Sequence, residues 1–299
     1  MLLGLFIFQN SWAESSVKNY VFAQRDTCTL TMDVYSPAKE LKSKPCIVFV
    51  YGGGFKIGSK SASYNTSYLE AMADSGFVVA SIDYRLGMKG IKSKGIKRIN
   101  AIHNAINMAV EDLYEATNYL IKHANQFNID PSKIIICGSS AGAITVLQAD
   151  YELSNRTQIS ALIPPDFRYA GVISFAGGIL SYHGAPTYKQ APAPTMFFHG
   201  TDDKLVRYNK IQIFKKGFFG TNALAKQFEK FDYSYYAYRY RDMGHEIAGY
   251  PMKVNINDIC LFINEYVIQH RHLKKDILVK DPDLKRIKFG SWKPKDIYK

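Results

Sequence analysis

A serine flanked by glycines lies in the pentapeptide Gly138-Ser139-Ser140-Ala141-Gly142, which matches the pattern G-x-S-x-G. The apolar run IIIC precedes it and the apolar stretch A-I-T-V-L-Q-A follows it, as expected for a strand, a sharp turn and a helix. Glycines suit such a turn because strand and helix approach each other too closely there for a Cβ atom. The pattern predicts an exposed Ser140 nucleophile, with the Ala141 amide at the helix start.

A serine nucleophile needs a base, and its reaction needs donors for the negative charge that develops on the attacked carbonyl. The glycines of Gly52–Gly54 follow the apolar run CIVFV and can turn their amides towards such an oxyanion. A phosphate-binding loop is disfavoured because no Lys-Ser/Thr pair closes this segment. Downstream, Asp202 and Asp203 follow one strand pattern and His245 follows the last one. The order is therefore nucleophile, acid, histidine.

Over residues 32–269 the chain resembles the α/β-hydrolase carboxylesterases. The likeness is to the bacterial branch with a GGG oxyanion loop, which contains feruloyl and acetyl-xylan esterases and enzymes related to hormone-sensitive lipase. It rests on seven motifs in the order of the family: M-D-V-Y-S-P, Y-G-G-G-F-x-x-G-S, V-A-S-I-D-Y-R-L, I-D-P-S-K-I, C-G-S-S-A-G, H-G-T-D-D-x-x-V and M-G-H.

The resemblance implies that Ser140 is the nucleophile, Asp203 the acid and His245 the base. Asp203 is favoured over Asp202 and other carboxylates because the family pattern is H-G-x-x-D. The backbone amides that it implies as oxyanion donors belong to Gly53, Gly54 and Ala141.

Four further residues lie in the loops expected around this site. Tyr51 stands where many members of the family have histidine, which affects the hydrogen bonding of the loop more than the chemistry. Phe55 and Tyr182 are candidate substrate-binding residues that could stack on a sugar or an aromatic acyl group. His199, at the start of the acid turn, is expected to be a packing residue.

The remaining chain alternates between strand and helix patterns. Continuous apolar runs such as CIVFV, FVVASI and IIIC are typical of strands buried on both faces. Helices are predicted over about 105–124, near 206–216 and over about 254–269, after an antiparallel N-terminal hairpin. The alternation and the resemblance together predict an α/β-hydrolase fold over 14–270. We expect a mostly parallel eight-stranded sheet, helices on both faces and little or no cap.

Composition limits the other classes of protein. The 299 residues are 47% hydrophobic and carry 38 Lys and Arg against 26 Asp and Glu, a net charge of +12. Half of that charge lies in a predicted basic extension, 271–299, and not on a recognition element, so no nucleic-acid partner is expected. The sequence contains no run of about 18 apolar residues, so no transmembrane span is predicted. Residues 1–13 are predicted to be a signal peptide, which would make the protein secreted or periplasmic.

The four scattered cysteines form no metal-binding spacing, and neither a metal nor another cofactor is expected. We expect a serine carboxylic-ester hydrolase that forms an acyl-enzyme on short-chain or carbohydrate-linked acetyl or feruloyl esters. Its substrate partner would be a small-molecule or glycan ester, and the sequence does not indicate the oligomeric state. Two alternatives stay open: a serine exopeptidase of the same fold, and a non-catalytic binding protein that kept the fold.

Overall fold

The computed structural model describes residues 16–25, 27–38, 43–281 and 284. The predicted signal peptide, residues 1–13, lies outside the described residues, and so does most of the predicted basic extension.

A large sheet organises the described chain. Nine strands form it in the order β1-β2-β4-β3-β5-β6-β8-β11-β12, and a separate small sheet has the order β7-β10-β9. The strand bounds are β1 (Ser16–Arg25), β2 (Cys28–Ser36), β3 (Lys44–Val50), β4 (Val78–Ile82), β5 (Ile129–Ser139), β6 (Gly171–Phe175), β7 (Gly178–Ser181), β8 (Thr195–Gly200), β9 (Lys210–Ile213), β10 (Lys216–Gly220), β11 (Tyr235–Tyr240) and β12 (Lys274–Val279).

The predicted strand directions are confirmed. Every neighbouring pair from β4 to β12 in the large sheet is parallel, whereas β1 pairs with β2 and β2 with β4 in antiparallel fashion. The number of strands differs, because the large sheet has nine where eight were predicted. Its last strand, β12, comes from the predicted extension and pairs with β11 over its whole length.

Helices connect the parallel strands. The longest, α2, turns one apolar face inward, and α4, which follows β5, is buried over nearly its whole length. None of the described helices is long and apolar enough to cross a bilayer. The helix bounds are α1 (Ser63–Asp74), α2 (Gly95–Lys122), α3 (Ala124–Phe127), α4 (Ala141–Asn155), α5 (Thr221–Lys230), α6 (Pro251–Val254) and α7 (Ile256–Phe262), which continues as a π-helix (Ile263–Ile268).

One predicted helix, near 206–216, is wrong. That segment contains β9 and the start of β10, which form a hairpin and join β7 in the small sheet. The sequence K-I-Q-I alternates with the period of a strand. Phe214 adopts a positive φ of 52° in the turn. A Cβ at Gly220 would lie 1.8 Å from the Arg207 carbonyl oxygen, an approach that only glycine permits.

Candidate active site

Ser140 lies in a strained turn between β5 and α4. Its φ of 51° is unusual for a residue with a side chain, and its amide donates to the Phe175 carbonyl at 2.8 Å. A Cβ at Gly138 would lie 2.4 Å from the Gly142 carbonyl oxygen, and a Cβ at Gly142 would lie 1.9 Å from the Val50 oxygen. The two glycines therefore let β5, α4 and β3 approach closely enough to hold this turn.

The structure brings three distant side chains together at the carboxyl ends of the strands. Ser140 Oγ lies 2.8 Å from His245 Nε2, and His245 Nδ1 lies 2.7 Å from Asp203 Oδ2. Asp203 follows β8, and His245 begins a short 3₁₀ turn after β11. Because the carboxylate can only accept, Nδ1 carries the proton and Nε2 is left to accept from the serine hydroxyl. In this arrangement His245 can take the proton from Ser140 Oγ and return it.

The Asp203 carboxylate is buried but well supplied with donors. Its Oδ1 accepts hydrogen bonds from the amides of Leu205 and Val206, at 2.8 and 3.0 Å. Its Oδ2 faces His199 Nε2 at 3.4 Å as well as His245. Burial by itself would raise the pKa of Asp203, but the hydrogen bonds from His199 and His245 outweigh it and hold that pKa well below its usual range. The carboxylate is therefore ionised around neutral pH.

His199 makes polar contacts beyond the packing role that the sequence predicted. It is fully buried, with Nε2 3.0 Å from the Val206 carbonyl oxygen and Nδ1 2.9 Å from Thr221 Oγ1. A carbonyl only accepts, so Nε2 carries the proton and Nδ1 accepts from the Thr221 hydroxyl. His199 thus faces Asp203 with an N–H group and is more than a packing residue. Its place at the start of the H-G-T-D-D motif was the signal that could have shown this.

The other carboxylates near the motifs have structural roles. Asp202 lies at the surface in the same turn as Asp203, with its amide donating to the Met243 carbonyl at 2.9 Å. Asp112, on α2, is buried and accepts from the Arg85 amide at 2.7 Å. The described partner of the His245 imidazole is thus the carboxylate that the sequence favoured.

The glycine loop passes directly beside the nucleophile. A Cβ at Gly52 would lie 3.2 Å from Ser140 Cβ, and the next two residues have φ values of 130° (Gly53) and 63° (Gly54). Glycine adopts these values readily because it has no Cβ. Within the described part of the chain, the amides of Gly53 and Gly54 donate to no protein acceptor. They are available to a ligand oxygen.

Tyrosine packing supports this loop from below. The Tyr51 ring is buried, lies 4.6 Å from the Tyr84 ring, and leaves no room for a Cβ at Gly58. The Tyr84 hydroxyl donates to the Tyr51 carbonyl at 3.0 Å, and burial raises the pKa of Tyr51. Phe55 is only 4% exposed and meets Tyr84 edge-on. Its role as a substrate contact stays a prediction.

Tyr182 lies on the segment that follows β7, a strand that contacts α4. The Leu180 amide of β7 donates to Gln148 Oε1, eight residues beyond Ser140, which corresponds to about 12 Å along α4. Tyr182 follows β7 and packs against His103, with ring centroids 4.7 Å apart. Its role as a substrate contact likewise stays a prediction.

The four cysteines are free thiols, and Cys46 and Cys137 are buried. Among the described residues, no group of three or more His, Cys, Asp or Glu side chains is arranged to hold a metal ion.

Comparisons with known proteins agree with this architecture. The family model BD-FAE matches residues 32–177, a segment that contains the glycine loop and Ser140 but ends before Asp203 and His245. The apo form of Thermogutta terrifontis esterase 2 superposes with a TM-score of 0.59 and 22% identity, covering 88% of this chain and 97% of that one. The chain has the α/β-hydrolase fold. A propionate-bound structure of the same esterase has a TM-score of 0.59 as well, at 20% identity over 85% of this chain and 95% of that one.

Curated relatives match part of the chain. Gut esterase 1 of Caenorhabditis elegans is 31% identical over 134 residues, which are 45% of this chain and 23% of the relative. The medium-chain fatty acyl-CoA hydrolase precursor of Anas platyrhynchos is 34% identical over 147 residues, which are 48% and 24%. The matches thus span about a quarter of the length of these relatives.

Proposed function

We propose that the protein is a serine carboxylic-ester hydrolase that forms an acyl-enzyme at Ser140. The observation that carries the proposal is the unbroken hydrogen-bond chain from Ser140 Oγ through His245 to Asp203, at 2.8 and 2.7 Å. The hydrogen-bond chain begins beside the glycine loop, where the amides of Gly53 and Gly54 donate to no acceptor among the described residues. Acyl transfer needs a nucleophile, a base whose tautomer is fixed, and donors for the oxyanion.

In the first half of the reaction, Ser140 Oγ attacks the ester carbonyl while His245 Nε2 takes the hydroxyl proton. The ionised Asp203 stabilises the imidazolium that results, because its Oδ2 already accepts from Nδ1. The oxyanion accepts from the amides of Gly53, Gly54 and Ala141. The C–O bond of the ester then breaks, and the alcohol leaves with the proton from His245.

The second half repeats these steps with water. His245 takes a proton from the water as its oxygen attacks the acyl-enzyme carbonyl, and the same amides receive the new oxyanion. The intermediate collapses, the free acid leaves, and Ser140 recovers its proton from His245.

We propose that the substrates have short acyl groups, or acetyl and feruloyl groups linked to a carbohydrate. Support comes from the path of the small sheet, which extends away from Ser140. Related lipases place a lid after the sixth strand, whereas here β7 runs along α4, away from Ser140. The His245 side chain keeps 18% of its surface exposed. Such a site accepts large alcohol groups, and the esterase names of the relatives agree with ester substrates.

Covalent labelling tests the nucleophile directly. Paraoxon, which phosphorylates the similar esterase 2 of Thermogutta terrifontis, should add one diethyl phosphoryl group to this chain. Mass spectrometry should locate it on Ser140, and Ser140→Ala should remove both the label and the hydrolysis of p-nitrophenyl acetate. The neighbouring Ser139 is the matched control. Its hydroxyl donates to the Ala248 carbonyl at 2.8 Å, so Ser139→Ala should keep both labelling and activity. Activity that survives in Ser140→Ala would refute the proposal.

A substrate panel separates the remaining classes. We expect p-nitrophenyl acetate and butyrate to be cleaved faster than long-chain esters, and we expect turnover of acetylated xylan or methyl ferulate. Cleavage of aminoacyl anilides in preference to all esters would indicate the exopeptidase instead. A correctly folded protein without turnover or paraoxon labelling would indicate a binding protein.

A further inference from the structure

The hairpin of the small sheet exposes an unusual set of apolar side chains. Phe214, at its tip, is 94% exposed, Ile213 is 70% exposed and Ile211 is 51% exposed. Single exposed apolar residues need no explanation, but neighbouring ones at the end of a protruding hairpin indicate a contact surface.

The first turns of α2 extend this surface. Ile96 is 77% exposed and Ile99 is 50% exposed. His103 lies one helical turn after Ile99, on the same face of α2, and its ring packs against Tyr182. Lys216 Nζ, from the hairpin, lies 4.9 Å from the centre of the same Tyr182 ring. We call the surface formed by Ile96, Ile99, Ile211, Ile213 and Phe214 the tip face.

The segments that carry the tip face are basic and lack carboxylates. Residues 86–110 contain five Lys and Arg, residues 204–228 contain six, and neither segment contains Asp or Glu. Burial lowers the pKa of His103, and the Glu152 carboxylate of the neighbouring α4 offsets part of that change. Glu152 accepts hydrogen bonds from Gln148 and Thr157. The tip face therefore stands in a positive field.

The loop that leads into α2 contacts the glycine loop. The Met88 amide, in the loop that leads into α2, donates to the Phe55 carbonyl of the glycine loop at 2.9 Å.

We propose that the tip face docks onto an anionic lipid surface. Lysine ammonium groups attract anionic headgroups, while Phe214 and the isoleucines insert at the boundary between headgroups and acyl chains. A soluble polyanion would be bound by the lysines alone and gives no reason to expose an aromatic and four aliphatic side chains. The combination of charge and exposed apolar groups therefore favours lipid over an anionic polysaccharide.

Vesicle sedimentation tests this proposal independently of catalysis. The full-length Ser140→Ala protein should bind vesicles of phosphatidylcholine and phosphatidylglycerol (7:3) and should bind pure phosphatidylcholine vesicles much more weakly. Phe214→Asn should lower the partition coefficient about tenfold, because one large apolar side chain no longer inserts. Asparagine is chosen because it tolerates the positive φ of this turn. Lys210→Gln and Lys215→Gln should each lower it about fivefold.

The matched control is Val254→Ser, since Val254 is 52% exposed on α6, outside the tip face. It should bind vesicles like the parent protein, and all variants should keep the parent Tm. Vesicle binding that is unchanged in Phe214→Asn would overturn the proposal. Binding to heparin that is as strong as vesicle binding, and sensitive only to the lysine variants, would show a polyanion site instead. Because the parent lacks the proposed nucleophile, neither result depends on whether the protein hydrolyses esters.

Discussion

The substitution Asp203→Asn gives the sharpest test of how the buried carboxylate acts on His245. Asparagine has the same shape, so the change replaces one oxygen by an NH₂ group and removes the charge. The neighbouring donors decide which of the two carboxylate positions the amide oxygen of asparagine takes. The amides of Leu205 and Val206 donate to Oδ1 at 2.8 and 3.0 Å, so the amide oxygen of asparagine must take that position. Its NH₂ group then faces His245.

The consequence is a change of tautomer. An NH₂ group cannot accept from His245 Nδ1, so the imidazole is stabilised with its proton on Nε2, pointing at Ser140 Oγ. In that state it cannot act as a base. A loss of about 10,000-fold in turnover is typical when the acid of such a triad becomes an amide, which corresponds to about 5.4 kcal/mol in transition-state stabilisation. Substrate binding should change little, because Asp203 is buried behind the imidazole.

The assay is steady-state hydrolysis of p-nitrophenyl acetate, with Tm measured alongside to show that the variant folds. The neighbouring Asp202→Asn is the control, because Asp202 lies at the surface, and its kcat/KM should stay within about twofold of the parent. If Asp203→Asn keeps more than a few per cent of the activity, or if Asp202→Asn loses most of it, the assigned acid is wrong.

Three further predictions follow from the same geometry. Gly142→Ala should prevent stable folding, because its Cβ would lie 1.9 Å from a backbone oxygen of β3; Gly249→Ala, which meets nothing within 4 Å, should keep the parent Tm. His199→Phe should lower kcat about tenfold with KM nearly unchanged, since it removes a donor facing the triad acid, and parent-like kcat would exclude this positioning role. Burial raises the pKa of Asp150 from 3.8 to about 7. The native state should therefore lose stability as pH rises from about 4 through 7, by at most a few kcal/mol. Asp150→Asn should flatten that dependence in thermal unfolding, and an unchanged profile would contradict it.

Much of the fold could be predicted because its signals are local. The continuous apolar runs of β3, β4 and β5 show burial on both faces, and the glycines around Ser140 mark a turn that no other residue fits. The hairpin at β9 and β10 was missed, because a short alternating segment beside a helical one has no decisive period. The pairing partner of β10 is β7, which lies about 40 residues earlier in the chain and is invisible to a local window.

In the candidate site, too, some features could be predicted from local signals and others could not. The order of Ser140, Asp203 and His245 could be recognised from motifs, because each residue follows its own strand pattern. The H-G-T-D-D motif places His199 near the acid, but its hydrogen-bond partners could not be predicted, since Thr221 and Val206 meet it only in the folded chain. The role of Tyr182 as a substrate contact stays a prediction, and its ring packs against His103 of α2.

The residue types and their order thus determined the fold class and the groups available for chemistry, because backbone strain and apolar periodicity act within a few neighbouring residues. Tertiary packing alone decided the donors around the buried carboxylate, the path of the small sheet and the exposure of Phe214. These features arise where segments far apart in the chain meet, and their energies depend on distances and solvent exposure that no local pattern records.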